Sequence, residues 1–422
     1  MLETVGREDE NPLGAKHPKG WMLATLSDVI VSVRGGYSVK CDDRPAEEGE
    51  VGVLKTGAVI TGRFEVGENK FVPLSEHSLL RTPVSAGTII ICRKNSEDTV
   101  GASALIDSNH PNIFLSDLLW ELRPANGVSI HWLISVLHSR SVRAQIQNQA
   151  TGTQSTMKNI SQDRFLATPI LLPPLPEQRK IAQILRAWDE AIDTCDRLID
   201  RLERRFSATA RRFFDPCHPT FERRPNSWSE FELGDVFAER TEGGDAGDRL
   251  LSITMSGGII DRDDVGRKDT STDDKSSYKL ILPGDIGYNT MRMWQGVCGL
   301  SMLRGIVSPA YTIVTPDNVN IAAKYAAHLF KSRRMVFDFE RYSQGLTSDT
   351  WNLKFPAFSK IKVFLPPIDV QHQQAEVLDV LKGEIDVLHR KREALANQKR
   401  GLMQKLLTGQ WRVKIDKEPA HG

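Results

Sequence analysis

The stretch Leu172-Pro173-Pro174-Leu175-Pro176-Glu177-Gln178, followed by a run to Phe214 free of proline and glycine, decides how this chain is organised. Apolar positions in that run are Ile181, Leu185, Trp188, Ile192, Cys195, Ile199, Leu202, Phe206 and Phe213, spaced by threes, fours and sevens. A hydrophobic period of 3.5 held for this long describes one helix with a single apolar seam, the pattern of a coiled coil. The prolines come first, where a missing N–H and a fixed φ do no harm. Taken from Glu177 to Phe214, such a helix is about 57 Å long.

Near the C-terminus the signature returns as Leu365-Pro366-Pro367-Ile368-Asp369-Val370-Gln371, displaced by 193 residues. The same displacement carries the seam onto Gln374, Leu378, Leu381, Ile385, Leu388, Arg392, Leu395, Lys399 and Leu406, and Leu402 adds another apolar position. Two unrelated amphipathic helices would not share one offset through both a proline signature and a heptad register. The chain is therefore an internal duplication. Packed antiparallel, the two helices would meet through these seam residues about a pseudo-two-fold axis, with a globular domain at each end. Gln374, Arg392 and Lys399 interrupt the second seam; they mark a partner contact, a register determinant, or a face turned to solvent.

The globular parts repeat as well. Residues 12–170 hold short β-branched runs bounded by glycine, such as Val51-Gly52-Val53-Leu54 and Gly87-Thr88-Ile89-Ile90-Ile91-Cys92, then an apolar run from Phe114 to Leu122. These are strand signals. His131 to Gln147 reads as one amphipathic helix. In 226–363, Trp228, Leu233 and Asp235 answer Trp21, Leu26 and Asp28, and Ser332-Arg333 answers Ser139-Arg140. Gly345, Ser348 and Asn352 answer Gly152, Ser155 and Asn159. The expected fold is α+β: two mixed α/β domains in tandem (12–170 and 226–363) and two long helices (172–214 and 365–409). A linker (215–225) and a tail (410–422) complete the plan.

With 40% hydrophobic and 26% charged residues the composition is that of a soluble globular protein, and a net charge of +1 confines any nucleic-acid surface to local patches. No apolar run reaches membrane-spanning length, and Met1 to Glu10 is unlike a signal peptide. Five scattered cysteines without a CxxC pair suit reduced thiols in a cytoplasm.

Together, the duplicated Leu-Pro-Pro-x-x-x-Gln lead-in to a long helix and the two divergent domains before it resemble the specificity subunits of type I restriction-modification enzymes. The stretch from Gly284 to Gly296, with Ser308-Pro309-Ala310-Tyr311, looks like a recurrent part of that family's target-recognition domains, and Gly87 to Ser96 is a looser version. The resemblance implies that each domain recognises one half of a split double-stranded DNA site. The helices would set the spacing and dock two methyltransferase subunits, and a translocase/nuclease subunit would complete the restriction enzyme. S-adenosylmethionine, ATP and magnesium would then belong to partners, with no cofactor in this chain.

No catalytic machinery is legible. There is no phosphate-cradling Gly-x4-Gly-Lys-Ser/Thr loop and no Asn/Asp-Pro-Pro-Tyr/Phe tetrapeptide for a flipped adenine. A metal-dependent nuclease built on Asp263, Asp264, Asp273, Asp274 and Lys275 is one alternative, and a coiled-coil scaffold without DNA contact is another. Thr270 to Ser277, however, reads as a solvated polar loop. Base edges are read best by Arg, Asn and Gln, and phosphates are held by Lys, Arg, Ser and Thr. The expected DNA-contacting residues are Arg93, Lys94, Asn95, Gln149, Gln154, Ser155 and Lys158 in the first domain. In the second they are Asn289, Arg292, Gln295, Gln344, Thr347 and Ser348. The polar segment Gln145 to Asn159 reads equally as a reading loop or as a cap before the next strand. Trp294 reads as a core residue.

Overall fold

The computed structural model describes residues 2–4, 8–9, 17–152, 157–218, 221–245, 247–255, 257–265, 277–347 and 350–415. Two compact units emerge: residues 1–194 with 392–422, and residues 195–391. Each contains one globular domain and one segment of each long helix. The helices span Leu175–Phe214 and Ile368–Leu407, 40 residues apiece.

In the first unit an antiparallel sheet runs Ser103–Ile106, Thr88–Cys92, Leu119–Pro124, Ile30–Gly35. Thr88–Cys92 is buried along its whole length. Its period of two divides it between two cores: Ile89 and Ile91 pack with Trp132, Leu133 and Leu137, while Ile90 and Cys92 pack with Ala58, Val59 and Leu115. A second sheet runs Asn69–Phe71, Gly52–Leu54, His110–Phe114, Pro83–Val84, with a parallel pair at its centre. In the second unit the sheet order is Phe237–Glu239, Tyr311–Pro316, Ile286–Asn289, Cys298–Leu300. Ile286 and Tyr288 face a core with Tyr325, Phe330 and Phe358, and Gly287 lies against Ile253, Ile281 and Ile313 on the other side. A Cβ at Gly287 would meet Ile253 Cδ1 at 2.5 Å, so only glycine lets the sheet pack this closely.

The amphipathic run at 131–147 forms two helices, Ile130–His138 and Arg140–Gln149, and not one. Ser139 is the reason. It adopts an extended backbone, and its Oγ accepts the Val142 N–H, capping a new helix. Ser332 does the same for Arg333–Tyr342. The apolar run 114–122 likewise divides, between His110–Phe114 and Leu119–Pro124.

Within each unit the long-helix segments run antiparallel. In the first, Asp189 meets Lys399 at 2.5 Å, while Ile181, nearer the helix start, shares a core with Leu406. In the second, Glu203 lies 3.7 Å from His389, and Phe206, Ala210 and Phe214 pack with Leu378 and Ala375. Lys399, a polar interruption of the seam, is thus spent on an ion pair. Ile192, Cys195, Ile199 and Leu381 are buried, while Trp188, Leu202, Ile385, Leu388, Leu395 and Leu402 are half-buried. Ile181, Leu185 and Leu378, expected as seam residues of the helix pair, are also built into the globular cores. Each long helix is therefore anchored at its start in the domain that precedes it.

That anchoring explains the repeated glutamine. Gln178 and Gln371 are buried, and each makes the same pair of hydrogen bonds. Gln178 Oε1 accepts the Ser129 N–H at 2.9 Å while Nε2 donates to Pro173 O at 2.9 Å. Gln371 Oε1 accepts the Ala322 N–H at 3.0 Å while Nε2 donates to Pro366 O at 2.9 Å. Ser129 and Ala322 are the N-caps of equivalent domain helices. One side chain thus satisfies an orphan helix N–H and the carbonyl just ahead of the long helix.

The segment read as a linker begins inside the second unit's core: Cys217 is buried, and His218 lies 3.2 Å from Asp338. Burial pushes the Cys217 thiol up to about 12, so it stays protonated. The tail, too, is structured where described. Trp411–Val413 pairs antiparallel with Leu2–Thr4. Arg412 Nε and Nη2 donate to the buried Glu177 carboxylate at 2.9 and 2.5 Å, and Trp21 Nε1 donates to it at 3.1 Å.

Candidate nucleic-acid interface

In both domains the end of a central strand is tied to a glycine-pinned stem. The first-domain stem carries a bridge between Thr151 and Asn159, and the second-domain stem carries one between Gln344 and Asn352, again 193 residues on. Gly152 and Gly345 have φ of +155° and +150°. A Cβ on Gly152 would meet Met157 O at 2.2 Å, and one on Gly345 would meet Thr350 O at 2.7 Å, so both stems close more tightly than a side chain permits. Position 157 plus 193 is 350. The two stems are the same structure.

The stems reach the strand ends through equivalent bonds. Ile160 N donates to Arg93 O at 3.0 Å, and Leu353 N donates to Thr290 O at 2.8 Å. In the first domain Lys94–Asn95 pairs antiparallel with Lys158–Asn159. Asn95 and Lys158, from separate parts of the sequence, therefore stand opposite each other, as do Lys94 and Asn159, and all four are half-buried. In the second domain Arg292 and Gln295 are exposed beside Asn289, which is half-buried, and Trp294 stands edge-on to Trp351 of the stem at 5.5 Å and 81°. Gln344 and Thr347 lie on the same stem.

Not every expected contact is free to reach outward. Arg93 Nε donates to Asp117 O at 2.7 Å, and its guanidinium lies 5.6 Å from the Trp120 ring, so it braces the strand end. Gln149 is turned to Thr168 Oγ1 at 3.4 Å. Asn289 Oδ1 accepts the Met291 N–H at 3.0 Å, which orders the turn carrying Arg292. Gln154, Ser155 and Ser348 lie outside the described residues. Trp294 is half-buried, not a core residue, with Nε1 donating to Met291 O at 3.0 Å. Trp351 escaped the sequence reading, although the 193 offset aligns it with Lys158 and would have marked it.

Among the described residues no group of three or more His, Cys, Asp or Glu is placed to hold a metal ion. Asp263 and Asp264 are exposed on a short 3-10 turn, while Asp273, Asp274 and Lys275 lie outside the described residues. Among the described residues no helix is long and apolar enough to cross a membrane.

The family described as type I restriction modification DNA specificity domain matches residues 18–204. The type I restriction enzyme EcoEI specificity subunit of Escherichia coli is 28% identical over 46% of this chain, a match spanning 32% of that protein. Two Methanocaldococcus jannaschii proteins align over nearly their whole length. The putative MjaX specificity subunit is 22% identical over 94% of this chain and 95% of its own. The MjaVIII specificity subunit is 23% identical over 95% of each. The fold is shared with the type I restriction-modification S subunit from M. genitalium, at a TM-score of 0.61 and 17% identity, covering 92% of this chain and 96% of that one. The duplicated domain-and-helix plan, the match over the first domain and helix and the near-full-length relatives agree in one direction: this chain is similar to type I restriction-modification specificity subunits.

Proposed function

We propose that this chain is the DNA-reading subunit of a type I restriction-modification enzyme, each globular domain reading one half of a bipartite site through its strand end and stem. The observation that carries this reading is the twice-built stem: one scaffold, glycine-pinned at both copies, bearing different exposed side chains. A rigid frame with exchangeable surface chemistry is what two readers of different half-sites need. Lys94, Asn95 and Lys158 supply donors and acceptors in one copy, and Arg292, Gln295, Gln344 and Thr347 do so in the other. The boundaries that follow are 12–170 and 226–363 for the readers and 172–214 and 365–409 for the spacer helices.

The chain is not itself an enzyme. Methyl transfer and DNA cleavage belong to two methyltransferase subunits and to translocase/nuclease subunits, which carry S-adenosylmethionine, ATP and magnesium, and the assembly works in the cytoplasm. Leu198 on the first long helix and Val377, Val380 and Val387 on the second stay exposed, and such apolar positions on helices support docking of those subunits.

Exchanging residues 12–170 for the corresponding domain of another specificity subunit tests the modular reading. In the assembled methyltransferase, one half of the methylated motif is expected to change while the other half and the gap stay fixed. A change in both halves, or in neither, would contradict it.

A further inference from the structure

The stems differ most at one place. Lys158 and Trp351 occupy equivalent positions, each directly after the pinned loop and one residue before the bridging asparagine. We propose that this position determines specificity: Lys158 donates to a guanine edge in the first half-site, and Trp351 makes an apolar contact with a thymine methyl group in the second. The inference rests on the DNA-reading function proposed above.

The surroundings carry the assignment. In the second domain Trp351 and Trp294 form an edge-to-face pair, and Trp294 has already committed its N–H to Met291 O. What that indole can offer a ligand is therefore carbon. Met291 is 50% exposed in the same turn, and Leu346 on the same stem is fully exposed, at 101%. Apolar side chains left exposed on a polar turn and stem suit the one apolar group in the major groove, the thymine 5-methyl. Arg292 and Gln295 flank it with donors for neighbouring bases or phosphates. In the first domain the equivalent position lies among Lys94, Asn95 and Asn159, with no aromatic partner at Asn95, its paired residue. Lys158 Nζ makes one long bond, 3.3 Å to Gly152 O, which leaves two N–H groups for an acceptor pair such as guanine O6 and N7.

The test uses the specificity subunit assembled with its methyltransferase subunits, with the motif first defined by long-read methylome sequencing. Duplexes in which deoxyuridine replaces each thymine of the second half-site in turn are then assayed for binding. The wild-type complex is expected to bind one of them roughly tenfold more weakly, the size of a single-position mismatch. Trp351→Ala is expected to lose that discrimination and to relax one base pair of the second half-site only. Trp351→Phe retains it, and Lys158→Ala relaxes the first half-site only. Indifference of the wild-type complex to every uridine duplex, or uniform loss of methylation across both halves in Trp351→Ala, would overturn the inference. Should Trp351→Ala not assemble, the uridine series on wild type and Lys158→Ala decide the matter. A wild-type complex with no chain-dependent motif would instead refute the DNA-reading function beneath it.

Discussion

Replacing Gln371 with leucine is expected to destabilise the second unit by about 2–5 kcal/mol, and Gln178→Leu to do the same to the first. Each glutamine is almost wholly buried, at 2% exposure for Gln178 and 0% for Gln371. Leucine keeps the volume but strands the N-cap N–H of a domain helix and the carbonyl before the long helix, and at Gln371 also the Asn320 carbonyl, to which Nε2 donates at 2.7 Å. Each orphaned buried group costs about 1–3 kcal/mol, against a typical total stability of about 5–15 kcal/mol for a domain. Glutamate is expected to rescue poorly, because it accepts from the N–H but cannot donate to the proline carbonyl when ionised. Urea unfolding followed by circular dichroism reads the result as a lowered midpoint. A shift worth under about 0.5 kcal/mol would remove the glutamine from its anchoring role.

The second large effect is expected at the C-terminal strand. Arg412→Ala removes two charge-assisted bonds and leaves the buried Glu177 carboxylate with the Trp21 indole as its side-chain donor among the described residues. Breaking a buried ion pair by removing one partner costs about 3–5 kcal/mol, and a pair whose arginine is partly exposed sits at the lower end of that range. Adding Glu177→Gln to Arg412→Ala is expected to recover part of the loss, since the uncompensated charge is then gone. A double-mutant cycle in thermal unfolding measures the coupling, and additivity of the two changes would contradict it. The second copy has Val370 where the first has Glu177, so no equivalent pair exists there.

Much of this architecture could be read from the chain alone because its information is periodic. The 193-residue offset exposed the duplication, aligned Ser139 with Ser332, and marked Gly152 and Gly345 as partners before their shared backbone geometry was visible. The glutamine was visible too, but not its purpose, since Ser129 and Ala322 carry no side-chain signature of being capped from a distance. The helix break at Ser139 was hidden because the apolar spacing continues across it, and only the extended backbone of the capping serine ends the first helix. Arg93 looked like a free cation because residue type does not show the carbonyl of Asp117 waiting beside it. Glu177 and Arg412 are 235 residues apart, beyond any local pattern. At the candidate interface, residue types nominated two separate polar segments in each domain. The stem bridges and strand ties joined each pair into one surface, and they brought forward Trp351, which no local pattern had singled out.

Genome-wide adenine methylation, measured by long-read sequencing in cells carrying the cognate methyltransferase with and without this chain, tests the central claim most directly. A split motif with a fixed gap, present only when the chain is present, is the predicted result. An assembled complex whose methylation pattern does not depend on the chain would contradict the account.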